Sequence, residues 1–497
     1  MNNFLKGFHD LTNINVTDNG ALAHKTTNSA LVDFFAQAGA MRNRSEKDIL
    51  TLFFKAYNED KLTALKLLFY VRDIRGGLGE RKIFRMIINY LAITKSTIVI
   101  KNLENIVEMG RWDDLFVLLD TPCQPSMVNL IQSQLELDKI SISPSLLAKW
   151  MKSINTSSDE SVAMAYRFAN LLKLSAREYR KLLSSIRKKI NIVETQLSNK
   201  EFTNIDYKRV PSNANLKYHK AFWRNDELGY RKYMEQVESG EVKINAKTLY
   251  PYEIVKQCLQ MCGQAWGAYD NAHTSLTLNN LWNNLPDYVG DDYSNTMAII
   301  DTSGSMTCNA YTPLASAIAL GIYFAERNKG MFANHYISFS HKPELIKIVG
   351  DNIYDKTKEV YDTDLIADTD IEKVFDLILQ TAIDNKLSQA ELPSRLVIIS
   401  DMQFNFAVTS NIKNTDTLFK NIRAKWSLTD YTVPNLVFWN VDAKSEVFPM
   451  TIDDAGVQFV SGHSPVIFES ILKNEFINPM DLLLSVVNNP RYDVITI

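Results

Sequence analysis

Cysteine is scarce in this chain: Cys123, Cys258, Cys262 and Cys308 are the only four in 497 residues. They are too few and too scattered for a disulfide framework, which points to a reducing compartment. No CxxC pair or suitably spaced histidine accompanies them, so a structural zinc site is not expected. They read as packing residues, since a free cysteine behaves as a small hydrophobe. Long apolar runs are missing as well. No stretch approaches the roughly 18 apolar residues of a membrane-spanning helix. The opening MNNFLKGFHDLTN also lacks the apolar core of a secretory leader. A cytoplasmic protein without membrane contact is expected; for a viral product that means the host cytoplasm or the virion. Excess charge of one sign is absent too. A net charge of -3 argues against a protein that coats nucleic acid uniformly, but it leaves room for a local basic patch.

What is present falls into two segments of different grammar. Over residues 46–285, apolar residues recur at helical spacing between clusters of Gly, Asn, Asp and Pro. SEKDILTLFFKAYNED begins with a cap-like Ser45 and carries a broad apolar face. The segments LTALKLLFYVRDI, ERKIFRMIINYLAI, PSMVNLIQSQLEL, SVAMAYRFANLLKL and AREYRKLLSSIRKKI follow the same pattern. Short helix pairs in succession predict a HEAT-like α-solenoid without a strict repeat period. Residues 1–45 are expected to be an extended N-terminal segment, and 286–295 a linker rich in turn formers. From 296 to 497, short apolar strands such as TMAII, HYISFS, RLVIIS and NLVFWNV alternate with helices. That alternation predicts a parallel sheet covered on both faces. The expected fold class is therefore α + α/β, a helical solenoid followed by a doubly wound domain.

The strand TMAII runs into Asp301-Thr302-Ser303-Gly304-Ser305, and RLVIIS runs into Asp401. Open α/β sheets bind ligands beyond the carboxyl ends of their strands. Two carboxylates and two hydroxyls placed there form an oxygen donor set of the kind hard cations prefer. Thr369, directly before the helix DIEKVFDLILQTAIDN, is placed to add a third hydroxyl; its alternative role is a helix N-cap alone. No HExxH occurs, and His335, His341 and His463 are scattered, so no general base accompanies the site. The cation, Mg²⁺ first and Mn²⁺ or Ca²⁺ as alternatives, is read as a binding device and the protein as no enzyme. The order DxSxS, then T, then D resembles the metal-ion-dependent adhesion site of von Willebrand factor A domains. That resemblance covers residues 296–497. It implies that Asp301, Ser303, Ser305, Thr369 and Asp401 ligate the ion, with a coordination position left for an acidic group of a protein partner.

The near-neutral total conceals a polarised chain. Arg177 to Lys232 holds 14 Lys/Arg against 6 Asp/Glu, whereas residues 351–401 hold 12 acids against 5 bases. Tyr179, Tyr207, Tyr218, Phe222, Trp223, Tyr230 and Tyr233 interleave the basic segment. Basic residues track a phosphate backbone, and aromatics stack on unpaired bases. The alternative is a solvated helix face over buried aromatics. The RNA candidates are Arg180, Lys181, Arg187, Lys188, Lys189, Lys208, Arg209, Lys217, Lys220 and Arg224. A second cluster, Arg72 to Lys82, places Gly76-Gly77-Leu78-Gly79 before a helix and adds Arg75, Arg81 and Lys82 as candidates. Its backbone N–H groups either present themselves to an anion or form an interhelical turn whose arginines pair with neighbouring acids. It is neither a P-loop nor GxGxxG.

The segments RDIRGGLGERKIFR, GRWDDLF, EYRKLLSSIRKKINIVE, DYKRVPSNANLKYHKAFWRND and DTSGSM occur in one order, after the opening TDNGALAHKTTNSALVDFFAQAG. Together they resemble the family related to the Ro autoantigen and TROVE-domain proteins, found in plants, fungi, giant viruses and phages. In Ro proteins, HEAT-like helices close into a ring that admits single-stranded RNA ends, structured small RNAs bind its basic outer surface, and the A domain closes the ring. The resemblance implies a non-catalytic ribonucleoprotein component. The alternative from another class is a metal-dependent interaction, virion or assembly scaffold that binds no RNA.

Overall fold

A computed structural model describes residues 12–190, 192–262, 268–291, 294–339, 342–363, 370–405, 417–473 and 478–497. Helices fill the first part of the chain. Glu46–Glu59 starts where expected, with the Ser45 hydroxyl accepting the Asp48 N–H. Lys61–Arg72, Lys82–Thr94, Gln124–Ile140, Asp159–Leu171 and Ala176–Ile190 follow, and Ser212–Asn225, Glu227–Glu238, Pro251–Cys262 and Ala268–Asn283 complete the series. Ala176–Ile190 buries one apolar stripe, Tyr179, Leu183 and Ile186, whereas Lys61–Arg72 lies deeper and is buried continuously from Leu67 to Arg72.

The second part is built on a six-stranded sheet. Its strands are β3 (Thr296–Asp301), β4 (His335–Phe339), β5 (Leu345–Lys347), β6 (Arg395–Ser400), β7 (Asn435–Asn440) and β8 (Val457–Ser461). Their spatial order is β5-β4-β3-β6-β7-β8. The chain winds outward from β3 in one direction and, from β6, in the other. Strands β3, β4, β6, β7 and β8 pair in parallel. β3 and β6 are buried throughout, which is why they read as uninterrupted apolar runs. β5 departs from the parallel expectation: it pairs antiparallel to β4. Only residues 340–344 separate the two strands, far short of the dozen or so that a parallel crossover needs.

The expected extended segment at residues 1–45 is in part helical. Ala30–Ala38 is a helix capped by Ser29, and Leu31 through Ala38 are all buried. Its only polar residues, Asp33 and Gln37, lie four apart and are too few to form a solvated face that would mark a helix in the sequence. The helix packs on β8. Ahead of it, β1 (Ile14–Val16) and β2 (Leu22–His24) form an antiparallel hairpin. His24 and Phe448 exchange backbone hydrogen bonds of 2.8 and 2.9 Å. The opposite end of the chain returns to the helical part. Arg491 pairs with Asp73, the Tyr492 hydroxyl donates to Asp73 at 3.1 Å, and Asn102 donates to the Thr496 carbonyl at 2.7 Å. Each end of the chain therefore braces the half remote from it in sequence.

Gly39 marks the tightest of these joints. Its N–H donates to Ser461 Oγ at 2.9 Å. A Cβ on Gly39 would lie 2.6 Å from the Ser461 carbonyl oxygen and 2.8 Å from Gly462 Cα. Both neighbours are backbone, so neither yields cheaply. Gly39→Ala should therefore cost about 1–3 kcal/mol, the usual penalty of forcing extra atoms into packed space. Urea denaturation of the full chain measures it. An unchanged midpoint would mean that the N-terminal helix is not held against the sheet at this joint.

Candidate functional site

Winding reverses between β3 and β6, so their carboxyl ends flank a crevice with no crossover across it. This is the topological switch point at which open α/β sheets bind ligands. Asp301 ends β3, and Asp401 directly follows β6. Both carboxylates are buried, at 0% and 1% exposure. Asp301 Oδ1 accepts the Ser303 N–H at 2.9 Å, and its Oδ2 accepts the Ser400 hydroxyl at 2.6 Å. The Ser303 and Ser305 hydroxyls lie 3.1 Å apart. Asp401 Oδ1 accepts the Gln403 N–H at 3.2 Å, and its Oδ2 takes the Lys444 ammonium at 2.8 Å. The structure thus brings four of the five expected ligands to one crevice. The fifth, Thr369, lies outside the described residues.

Electrostatics show what the crevice lacks. Burial, and then the charge of Asp401, push the Asp301 carboxyl upward against its hydrogen bonds from Ser303 and Ser400. Burial works against the Lys444 ammonium, but the charge and hydrogen bond of Asp401 outweigh it and pull its pKa up. Two buried carboxylates facing one ammonium are short of positive charge. Among the described residues no three His, Cys, Asp or Glu side chains group as metal ligands. Serine hydroxyls would have to complete the donor set. Oxygen donors of this kind suit a hard divalent cation, and the residues fit one.

Ser400 and Lys444 were not singled out from the sequence. Ser400 had a signal, because it is the last strand residue before Asp401. Lys444 had none: it lies beyond β7 in irregular chain. Asp442, in the same loop, accepts from Cys308 Sγ at 3.2 Å and Asn309 Nδ2 at 3.1 Å. Burial and that hydrogen bond push the Cys308 thiol up to about 11.

The basic candidates separate by environment. A cleft of about 1070 Å³ is lined by Arg177, Arg180, Lys181, Arg187 and Lys188, with Ser153, Asn155, Gln196 and a single carboxylate, Glu201, on its other walls. Among the described residues, Arg177, Arg180, Lys181 and Lys188 have no carboxylate partner. Arg187 does a different job. It donates to the carbonyls of Ala148 at 2.8 Å and Met151 at 2.7 Å, and to Ser153 Oγ at 2.6 Å, so it holds the 148–153 turn. Lys189 donates to the carbonyls of Lys139 and Ser141. Lys208, Arg209, Lys217, Lys220 and Arg224 are exposed but lie outside the cleft. Arg177 was missed because it precedes the dense run of basic residues on its helix.

The interleaved aromatics are not stacking platforms. Tyr179, Tyr207, Phe222, Trp223, Tyr230 and Tyr233 are buried, and Tyr218 is half-buried. Tyr207 and Tyr233 stack on each other with centroids 5.7 Å apart. For these side chains the alternative of a solvated face over an aromatic core holds. The glycine-rich turn resolves in the same way. The Leu78, Gly79 and Glu80 N–H groups donate to the carbonyls of Tyr70, Asp73 and Val71, so they are not free for an anion. A Cβ on Gly77 would lie 2.0 Å from the Tyr70 carbonyl oxygen, so only glycine fits there. Arg75 pairs with Glu108. Lys82 donates to the Arg42 carbonyl at 2.9 Å, and Arg81 is exposed.

Residues 17–135 and 126–292 match the family model described as domain of unknown function DUF2828, and residues 295–488 match domain of unknown function DUF7788. The chain belongs to the DUF2828 family. An uncharacterized protein of Acanthamoeba polyphaga mimivirus is 30% identical over 521 residues, which cover 96% of this chain and 88% of that protein. Both halves of this DUF2828 chain therefore occur together in that relative. Among solved structures, the RO (RSR) protein of Deinococcus radiodurans aligns with 91% of this chain and 100% of its own, at 12% identity and a TM-score of 0.39.

Proposed function

We propose that this protein is a non-catalytic RNA-binding protein of the Ro/TROVE ribonucleoprotein type. Unpaired RNA lies in the basic cleft, and a divalent cation binds at the switch point of a von Willebrand A-type domain. The observation that carries the reading is the cleft, where Arg177, Arg180, Lys181 and Lys188 face about 1070 Å³ of open space without carboxylate partners among the described residues. A groove of this charge tracks phosphates irrespective of sequence. Because the neighbouring aromatics are buried, charge and not base stacking dominates recognition here. In the crevice, Asp301, Ser303, Ser305 and Asp401 would hold the ion, with Thr369 as the fifth candidate. The ion would supply a Lewis-acidic position for a carboxylate of a protein partner or stabilise the assembly. A closed helical ring is part of the same reading.

A salt titration of labelled single-stranded RNA tests it. The comparison is between the wild type and Arg180→Ala/Lys181→Ala/Lys188→Ala; Arg187 is left in place because it holds a turn. Affinity should fall about tenfold or more in the variant. The slope of log affinity against log salt should flatten by about 2, since each lost phosphate contact on a single strand removes about 0.7. Tight binding with an unchanged slope would move RNA to another surface. No binding even at low salt would sink the RNA reading and leave a metal-dependent interaction scaffold.

A further inference from the structure

Lys444 brings a positive charge to the same crevice. Its ammonium lies 2.8 Å from Asp401 Oδ2 and 3.2 Å from the carbonyl oxygen of Ser305. Those two partners belong to two of the residues read as cation ligands. The Asp401 side chain is fully buried, whereas that of Lys444 is 30% exposed. The lysine therefore enters from the rim and ends on a carboxylate that has no access to water. Buried carboxylates require a counter-charge, and here the chain supplies one of its own.

The loop that carries Lys444 is anchored on both sides. Ala443 N–H donates to the Ala40 carbonyl at 3.1 Å, beside the joint made by Gly39. Asp442 holds Cys308 and Asn309. Asn309, Ala310 and Tyr311 are consecutively left-handed, with φ of 53°, 54° and 60°. None of them is glycine, so this turn is strained. The backbone at Lys444 is thus fixed, while its long, flexible side chain, open at the rim, is free to leave.

We infer that Lys444 is a tethered counter-cation that competes with the divalent ion for the Asp401 carboxylate and must swing out toward solvent for the ion to enter. The inference rests on the reading of the crevice as a cation site. Like charges exclude each other at such separations. An ammonium and a divalent ion drawn to one buried carboxylate repel each other, and burial leaves little water to screen that repulsion. The affinity for the ion is then set by the lysine as well as by the ligands. The site binds weakly and exchanges readily, unlike a permanent structural metal.

Mn²⁺ titration of the full-length protein, followed by the electron paramagnetic resonance signal of the free ion, tests this. The wild type is compared with Lys444→Met, Lys444→Arg and Asp401→Asn, and thermal midpoints are taken in chelator and in Mn²⁺. Lys444→Met should bind Mn²⁺ about tenfold tighter or more, because the competitor is gone. Its midpoint in chelator should drop, and the rise on adding Mn²⁺ should exceed that of the wild type. Lys444→Arg keeps the charge and should stay near the wild-type affinity, which guards against a merely steric effect. Binding by Lys444→Met alone, with none by the wild type, would be the strongest support. Equal or weaker Mn²⁺ binding by Lys444→Met beside clear binding by the wild type would overturn the lysine inference and leave the cation site standing. No binding by either, or binding unaffected by Asp401→Asn, would overturn both.

Discussion

Asp114→Ala should destabilise the protein by about 3–5 kcal/mol, the range found when one partner of a buried ion pair is removed. Asp114 and Arg72 are 0% and 1% exposed. Arg72 reaches Asp114 Oδ2 through both Nε at 2.8 Å and Nη2 at 2.7 Å. Arg85 Nε occupies Oδ1 at 2.6 Å, and the Arg111 N–H adds a bond of 2.8 Å to Oδ2. One carboxylate thus joins the helices Lys61–Arg72 and Lys82–Thr94 to the 3₁₀ turn Trp112–Leu118. Removing it leaves the Arg72 guanidinium in the core with neither water nor an anion. Asp113→Ala is the control. Asp113 also pairs with Arg85, but its side chain is 13% exposed, so its loss should cost about 1 kcal/mol or less, as for a more solvated pair. Chemical denaturation of both variants separates the two. A loss below about 1 kcal/mol for Asp114→Ala would show that the network is not what holds these helices together.

How far the sequence foretold this architecture depended on whether a feature was local. Asp301 and Asp401 were legible because each directly follows or ends an apolar run long enough to be a buried strand, and strand ends in parallel sheets bind ligands. The partners that tune them were not. Lys444 lies 43 residues from Asp401 along the chain, and only the sheet order brings β7 beside β6. On the basic helix, charge was legible and its direction was not. Arg187 follows the buried Ile186, and its guanidinium turns to the carbonyls of the 148–153 turn, whereas Lys188 faces the cleft. The aromatics between the basic residues belong to a core: on Ala176–Ile190, Tyr179 continues the buried stripe of Leu183 and Ile186, a helical spacing that the density of basic charge around it obscured. The helix Ala30–Ala38 was obscured for a different reason: apart from Asp33 and Gln37 it is apolar, and both of those are buried.

The cleft and the crevice stand on different parts of the chain, and their chemistry differs accordingly. The cleft is lined by long, mobile cations exposed to water. Such residues give a salt-dependent interaction of low geometric precision. The crevice is lined by short, buried oxygen donors fixed by hydrogen bonds, which give a site of defined geometry. Loss of charge in the first should weaken the proposed RNA binding without affecting stability. Changes in the second should alter stability and ion affinity together, because its carboxylates are part of the core.

Lowering the pH from 7 to 5 should destabilise the protein through His219 by about 2 kcal/mol. His219 is 2% exposed, and its Nδ1 lies 2.8 Å from the Leu216 carbonyl oxygen, which it serves as a donor. Its Nε2 is buried without a hydrogen-bond partner among the described residues. Burial pushes the imidazole down to about 4, and the nearby Lys220 charge adds to the effect. The sign follows from the depressed value. The unfolded chain takes up a proton near pH 6.5 and the folded one only near 4, so the stabilisation is complete above 6.5 and is lost as the pH falls between the two. His463 acts in the same direction. Burial, with Arg42 and Lys256 beside it, pushes it down to about 3, but its residual exposure reduces the contribution. Asp33 acts oppositely. Burial raises its carboxyl to about 6 despite hydrogen bonds from Thr26 and Thr27, so its contribution is present at low pH and lost as the pH rises through 6. The total slope therefore mixes groups of both signs, and the difference between wild type and His219→Gln isolates one of them. Urea melts at pH 5 and 7 should show the wild type losing about 2 kcal/mol more than the variant over that interval. Equal losses would mean that His219 is protonated in the folded protein as readily as in the unfolded chain, and that its ring is not sealed from water.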